Sequence, residues 1–190
     1  MMKYINLPIG LLIVGFAATS HAQPGVEASP KASTTNGYVA MGVAMGGDKF
    51  TVASESADDF YVNPSLEVGH RLLGSLWAHG EIAGGTTLGL QDNHEGGQRL
   101  VVRGGLEERV CVSAWACVIA GADVGYRHER LDAMATQQMI YNVDDVAAFE
   151  HLGLELGTRS LRFRPTIENT SSSQGLHAGS AVTGSLAYVW

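Results

Sequence analysis

The chain has few of the features that mark a helical or a nucleic-acid-binding protein. Downstream of Ala22, its 190 residues include no apolar run of the roughly 18 to 20 residues that a transmembrane helix requires. It has only three lysines but 24 glycines, a composition that is unusual for a soluble helical protein. Its 12 basic and 19 acidic residues leave a formal charge of −7, which argues against a nucleic-acid partner. If the chain crosses a membrane, it must therefore do so with strands.

The N-terminal segment has the parts of a secretory signal peptide. Lys3 is the only charge before an almost wholly apolar run over residues 7–18, and Ser20 and Ala22 provide small residues at the −3 and −1 positions of a cleavage site. The alternative is a membrane anchor, but the apolar run is short for one and no basic stop-transfer flank follows it. We predict a signal peptide over residues 1–22, a flexible leader over 23–36 and one domain over 37–190.

The chain has two cysteines, Cys111 and Cys117. An exported chain folds in an oxidising compartment, where two closely spaced cysteines are more often paired than used for metal binding or redox chemistry. Both cysteines also fall on the same face of adjoining predicted strands. We therefore predict a disulfide between them.

From residue 37 to the end, apolar residues alternate with small or charged residues in eight runs. The first run, for example, sets Val39 and Met41 against Tyr38 and Ala40. The links between runs alternate in length: three are short, at 74–75, 112–116 and 158–160, and four are mostly longer and rich in Gly, Asp, Asn and Ser, at 46–59, 84–98, 128–145 and 169–175. This layout predicts an all-β fold, an eight-stranded antiparallel up-and-down transmembrane barrel with both chain ends on the side of the short turns.

With these features, the mature chain resembles the small eight-stranded outer-membrane barrels of Gram-negative bacteria, the group that contains outer membrane proteins A and X. The resemblance covers nearly all of residues 37–190. Its most specific element is the C-terminus Leu186-Ala187-Tyr188-Val189-Trp190, which has an alternating hydrophobic pattern and ends in an aromatic residue. In that family such an end is the signal for the barrel assembly machinery, so the resemblance implies this role for Leu186, Tyr188 and Trp190. It also implies a monomer in the outer membrane, in contact with lipid and lipopolysaccharide.

The distribution of charge indicates which face of the strands meets lipid. A soluble barrel of the lipocalin type would bury the apolar face and expose the charged one, but the charged face here carries six acids, six arginines and no lysine. Arginine is a better partner than lysine for desolvated carboxylates, because its planar guanidinium binds them bidentately. Since side chains can fill an eight-stranded interior, we predict a largely closed lumen with an ion-pair network of Glu67, Arg71, Glu81, Arg103, Glu107, Arg109, Asp123, Arg127, Glu155, Arg162, Arg164 and Glu168.

The sequence offers little support for catalysis or metal binding. His177 and Ser180 lie three apart on the last strand, which sends them to opposite faces, whereas lipid A deacylases of this size carry His and Ser two apart on one face. His94-Glu95 and His128-Glu129, both in long links, lack the spacing of a known metal site. The histidines of the inner face are interpreted as lumen partners of nearby acids, His79 with Glu81 and His151 with Glu155. We predict no enzyme activity, no catalytic residue, no metal and no cofactor.

The four long links are acidic. They carry Lys49 and Arg130 against ten acids, which disfavours heparin-like polymers and DNA as ligands. We therefore predict a structural or surface-interaction role with a loop ligand that the sequence does not identify; the alternatives are a narrow pore for small solutes and a lipid A-modifying enzyme. The ten acids are Asp48, Glu55, Asp58, Asp59, Asp92, Glu95, Glu129, Asp132, Asp144 and Asp145.

Deletion of Trp190 tests the assembly signal. An aromatic residue at the last lipid-facing position acts as a recognition signal and an interfacial anchor, so the deletion should affect assembly more than the stability of the finished barrel. The truncated chain should be degraded or remain soluble in the periplasm when membrane fractions are compared. Normal outer-membrane levels of the truncated chain would contradict the barrel assignment.

Overall fold

The computed structural model of the chain describes residues 36–52, 55–89, 94–133, 140–172 and 177–190. The predicted signal peptide, and all of the predicted leader except its last residue, lie outside the described residues. Within the described ranges, no helix has the length and apolar character needed to cross a membrane.

The described residues form one closed β-barrel. Each strand pairs antiparallel with its neighbours in sequence, and β1 pairs with β8 to close the ring. This confirms the predicted eight-stranded, antiparallel, up-and-down barrel. The strands are β1 Gly37–Val52, β2 Glu55–Leu73, β3 Leu76–Gly89, β4 His94–Cys111, β5 Ala116–Ala133, β6 Ile140–Gly157, β7 Leu161–Ser172 and β8 His177–Val189.

The two faces of each strand have the predicted polarity. In β1, Tyr38 and Ala40 are buried in the barrel, whereas Met41 and Val43 point outward and are exposed. The same holds around the ring, because one apolar side chain from every strand is between 45% and 71% exposed on the outer surface. A continuous exposed apolar belt of this kind is stable only in contact with lipid or another apolar surface. These belt residues include Met41, Leu66, Ile82, Val102, Val124, Leu154, Ile167 and Val182.

The strands are longer than the sequence pattern predicts, so the prediction of four long loops is wrong. β1 continues to Val52 and β2 begins at Glu55, which turns most of the predicted link 46–59 into strand. A strand needs only about 9–11 residues to cross a bilayer, but β4, β5 and β6 each have 18. The physical reason is that outward residues need to be apolar only where a strand faces lipid, whereas the backbone hydrogen-bond ladder continues beyond that stretch. The other three predicted links, at 84–98, 128–145 and 169–175, are shortened in the same way.

The three short turns lie where the sequence predicts them, at the end of the barrel that also holds Asn36 and Trp190. The backbone amides of Asn36 and Gly37 both donate to the Trp190 carbonyl, which ties the two ends of the described barrel together. The β2–β3 turn contains Gly74 with a φ of 57°, a left-handed conformation that glycine adopts at no steric cost.

The β4–β5 turn contains the predicted disulfide. Cys111 and Cys117 lie opposite each other in the last pair of the β4–β5 ladder and are bonded to each other. Cys117 is buried beside the Arg162 guanidinium, whose Nη1 lies 3.4 Å from its sulfur. The disulfide therefore closes the turn at the point where the charged lumen begins.

Thiol labelling tests the disulfide. The bond closes a short segment, so its stabilisation should be modest, about 2 kcal/mol on loop-closure arithmetic. The denatured, unreduced protein should show no reactive cysteine, and prior reduction should reveal both Cys111 and Cys117. Two reactive thiols before reduction would contradict the pairing.

Candidate functional site in the barrel lumen

The charged residues of the inner face converge in the lumen because their alternate positions on every strand point inward. Of the twelve residues that the sequence singles out, three are half-buried: Glu67, Arg71 and Arg103. The other nine are buried: Glu81, Glu107, Arg109, Asp123, Arg127, Glu155, Arg162, Arg164 and Glu168.

Glu107 on β4 lies at the centre of this group. Its carboxylate accepts hydrogen bonds from Arg164 Nη2 at 2.7 Å and Arg109 Nε at 2.6 Å, and the Tyr38 hydroxyl donates to it at 3.3 Å. Arg164 also contacts both carboxylate oxygens of Glu67 at 3.1 Å. Because Arg164 is on β7, Glu67 on β2 and Glu107 on β4, these contacts reach across the interior of the barrel.

Glu155 joins three guanidiniums at the turn side of the lumen. Its carboxylate oxygens lie 3.0 Å from Arg109, 3.2 Å from Arg162 and 3.5 Å from Arg164. The Arg109 guanidinium also stacks 4.0 Å from the centre of the Trp77 ring. Cation–π contact of this type compensates part of the hydration that a buried guanidinium loses.

Arg103 is the centre of a second group. Its Nε donates to Glu81 at 2.8 Å, its Nη1 contacts Glu168, and its Nε lies 3.6 Å from Asp123. The guanidinium also lies 4.8 Å from the centre of the Phe149 ring. Arg103 thus links carboxylates from β3, β5 and β7.

Arg71 has a different environment from the other arginines of the predicted set. Its Nε donates to the Gly74 carbonyl at 2.6 Å, so the side chain supports the β2–β3 turn at the rim of the barrel. This contact is local because Arg71 is near the end of β2.

A further charged group lies toward the opposite end of the lumen, and Arg127 is its one member in the set of residues predicted from the sequence. Asp48 contacts the buried guanidiniums of Arg99 and Arg127, the latter at 3.0 Å, and Arg127 also pairs with Asp145 at 3.1 Å. Glu129 is buried as well. The assignment of Asp48, Glu129 and Asp145 to acidic surface loops is therefore wrong. The alternation of inward and outward positions identifies all three, because each continues the inward-facing series of a predicted strand.

The two lumen histidines do not contact the acids that the sequence suggested. His79 Nδ1 lies 3.0 Å from Glu67 and its Nε2 lies 2.7 Å from Asp123. His151 lies 3.6 Å from Glu107 and 3.7 Å from Asp123. The tilt of the strands explains the difference, because neighbours along one strand are separated in height while residues of other strands come level with them.

The remaining candidate groupings do not form sites among the described side chains. His128 points outward, where its Nδ1 lies 2.7 Å from Asp144, whereas Glu129 is buried in the lumen, so these two neighbours cannot share a metal ion. The side chains of His94, Glu95 and His177 lie outside the described part of the structure.

A small cavity interrupts the packed charges. It offers about 30 Å³ to the centres of water-sized molecules and is bordered by His79, His151, Arg103, Arg164 and Glu168. A single water needs on the order of 10–15 Å³ by this measure, so the cavity accommodates about two waters.

Substitution of Asp48 by Asn tests the charged group around Arg127. The change removes a negative charge shared by two buried guanidiniums and should cost roughly 3 to 5 kcal/mol of stability. The readout is the temperature at which the folded form converts to the unfolded form on a gel. Asp144→Asn is the matched control, because Asp144 is exposed on the outer face and should change this temperature little. An equal decrease in both variants would contradict the lumen position of Asp48.

Known structures share this architecture, although the sequence is divergent. No protein-family model and no curated protein sequence matches the chain. Among solved structures, Neisserial surface protein A matches with a TM-score of 0.63 and 9% identity, covering 81% of this chain and 97% of that one. Ail, the attachment invasion locus protein of Yersinia pestis, matches with a TM-score of 0.58 and 9% identity, covering 82% and 99%.

These likenesses confirm the predicted resemblance at the level of the fold. The apolar belt around the ring is an independent observation that favours contact with lipid. Fold and belt together indicate a barrel that crosses a lipid membrane with its strands. The chain has the architecture of the small eight-stranded outer-membrane barrels, of the group that contains outer membrane proteins A and X.

Proposed function

We propose that this outer-membrane barrel has a largely closed, charge-paired lumen and a structural or surface-interaction role. The observation that carries the proposal is the bridging of carboxylates by guanidiniums inside the barrel. Arg103, Arg109 and Arg164 each contact at least two carboxylates, and their partners come from different strands. Such a network links opposite walls of the lumen and leaves little continuous space for a solute.

The narrowness of the interior supports closure over a pore. Eight strands enclose an interior that side chains can fill, and the cavity beside His79 has room for about two waters. A passing ion would also have to separate paired charges of opposite sign. Both features favour the closed barrel over the narrow-pore alternative.

Among the described side chains of the outer face, the contacts of His128 do not favour lipid A modification. An acyl hydrolase orients a nucleophilic hydroxyl with a histidine and a carboxylate. His128 and Asp144 do form such a pair on the outer face, but the hydroxyl that joins them belongs to Tyr126 and donates to Asp144. The discriminating measurement is the mass of lipid A from cells that express the barrel, which we expect to be unchanged.

The ends of the strands beyond the belt are the proposed interaction surface. Strands of up to 19 residues extend the rigid ladder past the bilayer on the side away from the short turns. Burial of Asp48, Glu129 and Asp145 removes three of the ten predicted rim acids from this surface. The rim is therefore less acidic than the sequence suggests, and it repels polyanionic ligands less strongly.

Conductance in planar bilayers tests the closed lumen. The wild-type barrel should show little steady conductance, because the bridged charges fill the interior. Arg103→Ala or Glu107→Ala should lower the temperature of unfolding, with a cost of roughly 3 to 5 kcal/mol for the stranded charge where lumen water does not relieve it, and should admit flickering ion passage.

The matched control is Arg159→Ala, which removes an exposed arginine from the β6–β7 turn and should leave conductance and unfolding unchanged. Stable wild-type conductance on the order of hundreds of picosiemens exceeds what a filled eight-stranded interior supports. That result would replace the closed lumen with the pore alternative.

A further inference from the structure

Two histidines and an aspartate meet inside the lumen. His79 on β3, Asp123 on β5 and His151 on β6 come from three strands, and one potential ligand atom of each lies within 4.8 Å of the other two. Their side chains are at most 7% exposed. Imidazole nitrogens and a carboxylate oxygen in this proximity are a common ligand set for divalent transition metals.

The contact between His79 and Asp123 requires a positive charge. The Nδ1 of His79 lies 3.0 Å from the Glu67 carboxylate, and the Nε2 lies 2.7 Å from an Asp123 oxygen. A neutral imidazole carries only one ring proton, so one of these two nitrogens then faces a carboxylate with a lone pair. Within the described part of the chain, neither this Nε2 nor either carboxylate oxygen of Asp123 has a hydrogen-bond partner of acceptable geometry. Two buried acceptors this close repel each other unless a cation or a second ring proton lies between them.

His151 repeats the arrangement of His79. Its Nδ1 lies 3.7 Å from the other Asp123 oxygen, and its Nε2 lies 3.6 Å from Glu107. Each histidine thus directs one nitrogen toward Asp123 and the other toward a separate carboxylate. Metal-binding histidines almost always have such an outer carboxylate or carbonyl, which fixes the tautomer and the ring orientation.

This part of the lumen holds more carboxylates than buried or half-buried guanidiniums. Six carboxylates lie among four guanidiniums, with Arg71 nearer the rim, and ring protons on the histidines or a bound ion supply further positive charge, because burial of uncompensated charge is costly. The carboxylates are Glu67, Glu81, Glu107, Asp123, Glu155 and Glu168, and the guanidiniums are Arg103, Arg109, Arg162 and Arg164.

Two glycines provide the space that these side chains occupy. A Cβ at Gly121 would lie 2.5 Å from the His151 ring, and one at Gly105 would lie 2.2 Å from Asp123 Oδ1. The small cavity borders His79 and His151, so water can complete the coordination of an ion. Zinc with ligand distances of about 2.0–2.2 Å separates its tetrahedral ligands by roughly 3.3 Å. The 2.7 Å separation between His79 Nε2 and Asp123 Oδ1 would have to widen by about 0.6 Å, and the 3.7 Å separation between His151 Nδ1 and Asp123 Oδ2 would have to narrow by about 0.4 Å.

We propose that the lumen binds one divalent transition-metal ion of the Zn²⁺ class through His79 Nε2, His151 Nδ1 and Asp123. Glu67 and Glu107 are positioning residues that orient the two imidazoles. The ion joins β3, β5 and β6 and stabilises the folded barrel. The site does not depend on whether the lumen conducts, so this proposal and the closed lumen can fail separately.

Metal content after refolding is the direct test. The untagged mature barrel is refolded into detergent with Zn²⁺, treated with EDTA and desalted, and the metal per folded chain is measured. The wild type should retain about one ion, and the loaded protein should unfold at a higher temperature than the metal-free protein. His79→Gln, His151→Gln and Asp123→Asn should each lose the ion and the temperature difference, whereas His128→Gln, on the outer face, should keep both.

Co²⁺ provides a measurement that needs no variant, in case a substitution prevents folding. Co²⁺ in the wild-type lumen should give the intense visible absorption of a four-coordinate nitrogen and oxygen site, because the ligand set is that of a tetrahedral zinc centre. Folded wild type that retains no metal would overturn the proposal and leave protonated histidines as the balancing charge. Retention of the ion by the His79→Gln and His151→Gln variants would overturn it as well.

Discussion

Pairing of β1 with β8 is the constraint on which the rest of the structure depends. The bilayer core offers no water to unpaired backbone groups, so a sheet that crosses it must close on itself. In a closed barrel of eight strands, one face of every strand points toward lipid and the other points into the interior. That interior is narrow enough for side chains to fill it. The outward belt and the crowded inward charges both follow from this closure. The close approach of Gly105 to Asp123 and of Gly121 to His151 reflects the same lack of space.

Such an interior explains why arginine is the only long basic residue among the buried groups of the barrel that the structure describes. A guanidinium can contact two carboxylates at once and stack on a ring, as Arg109 does with Glu107, Glu155 and Trp77. An individual buried ion pair often contributes little net stability, because desolvation offsets the attraction. A network differs from a single pair, because removing one charged member leaves several buried partners without their opposite charge. The charges therefore specify which residues must face inward and make errors in strand register costly.

The histidines differ from the arginines because their charge depends on a proton or a bound ion. Where His79 approaches Asp123, each ring nitrogen faces a carboxylate, so a neutral ring leaves one of the two contacts without a proton. A metal ion at this point would convert a repulsive contact into coordination bonds between three strands. Arginine side chains would then fill the lumen, and the ion would link β3, β5 and β6.

Much of the architecture follows from the sequence alone, because period-two alternation determines which side of a strand each residue occupies. Alternation and link length predicted eight strands and the inward set of charges, and the distribution of charge predicted the lipid face. The oxidising compartment and the shared face of the two cysteines predicted the pairing of Cys111 with Cys117. Asp48, Glu129 and Asp145 were assigned to loops because outward residues lose their apolar character beyond the bilayer, although the hydrogen-bond ladder continues. Only the tertiary structure decided which inward residues meet. Alternation gives the face on which a residue lies but not its position along the barrel axis. Strand tilt and stagger bring Arg164 level with Glu67, which is 97 residues away in the sequence, and they bring His79 level with Asp123.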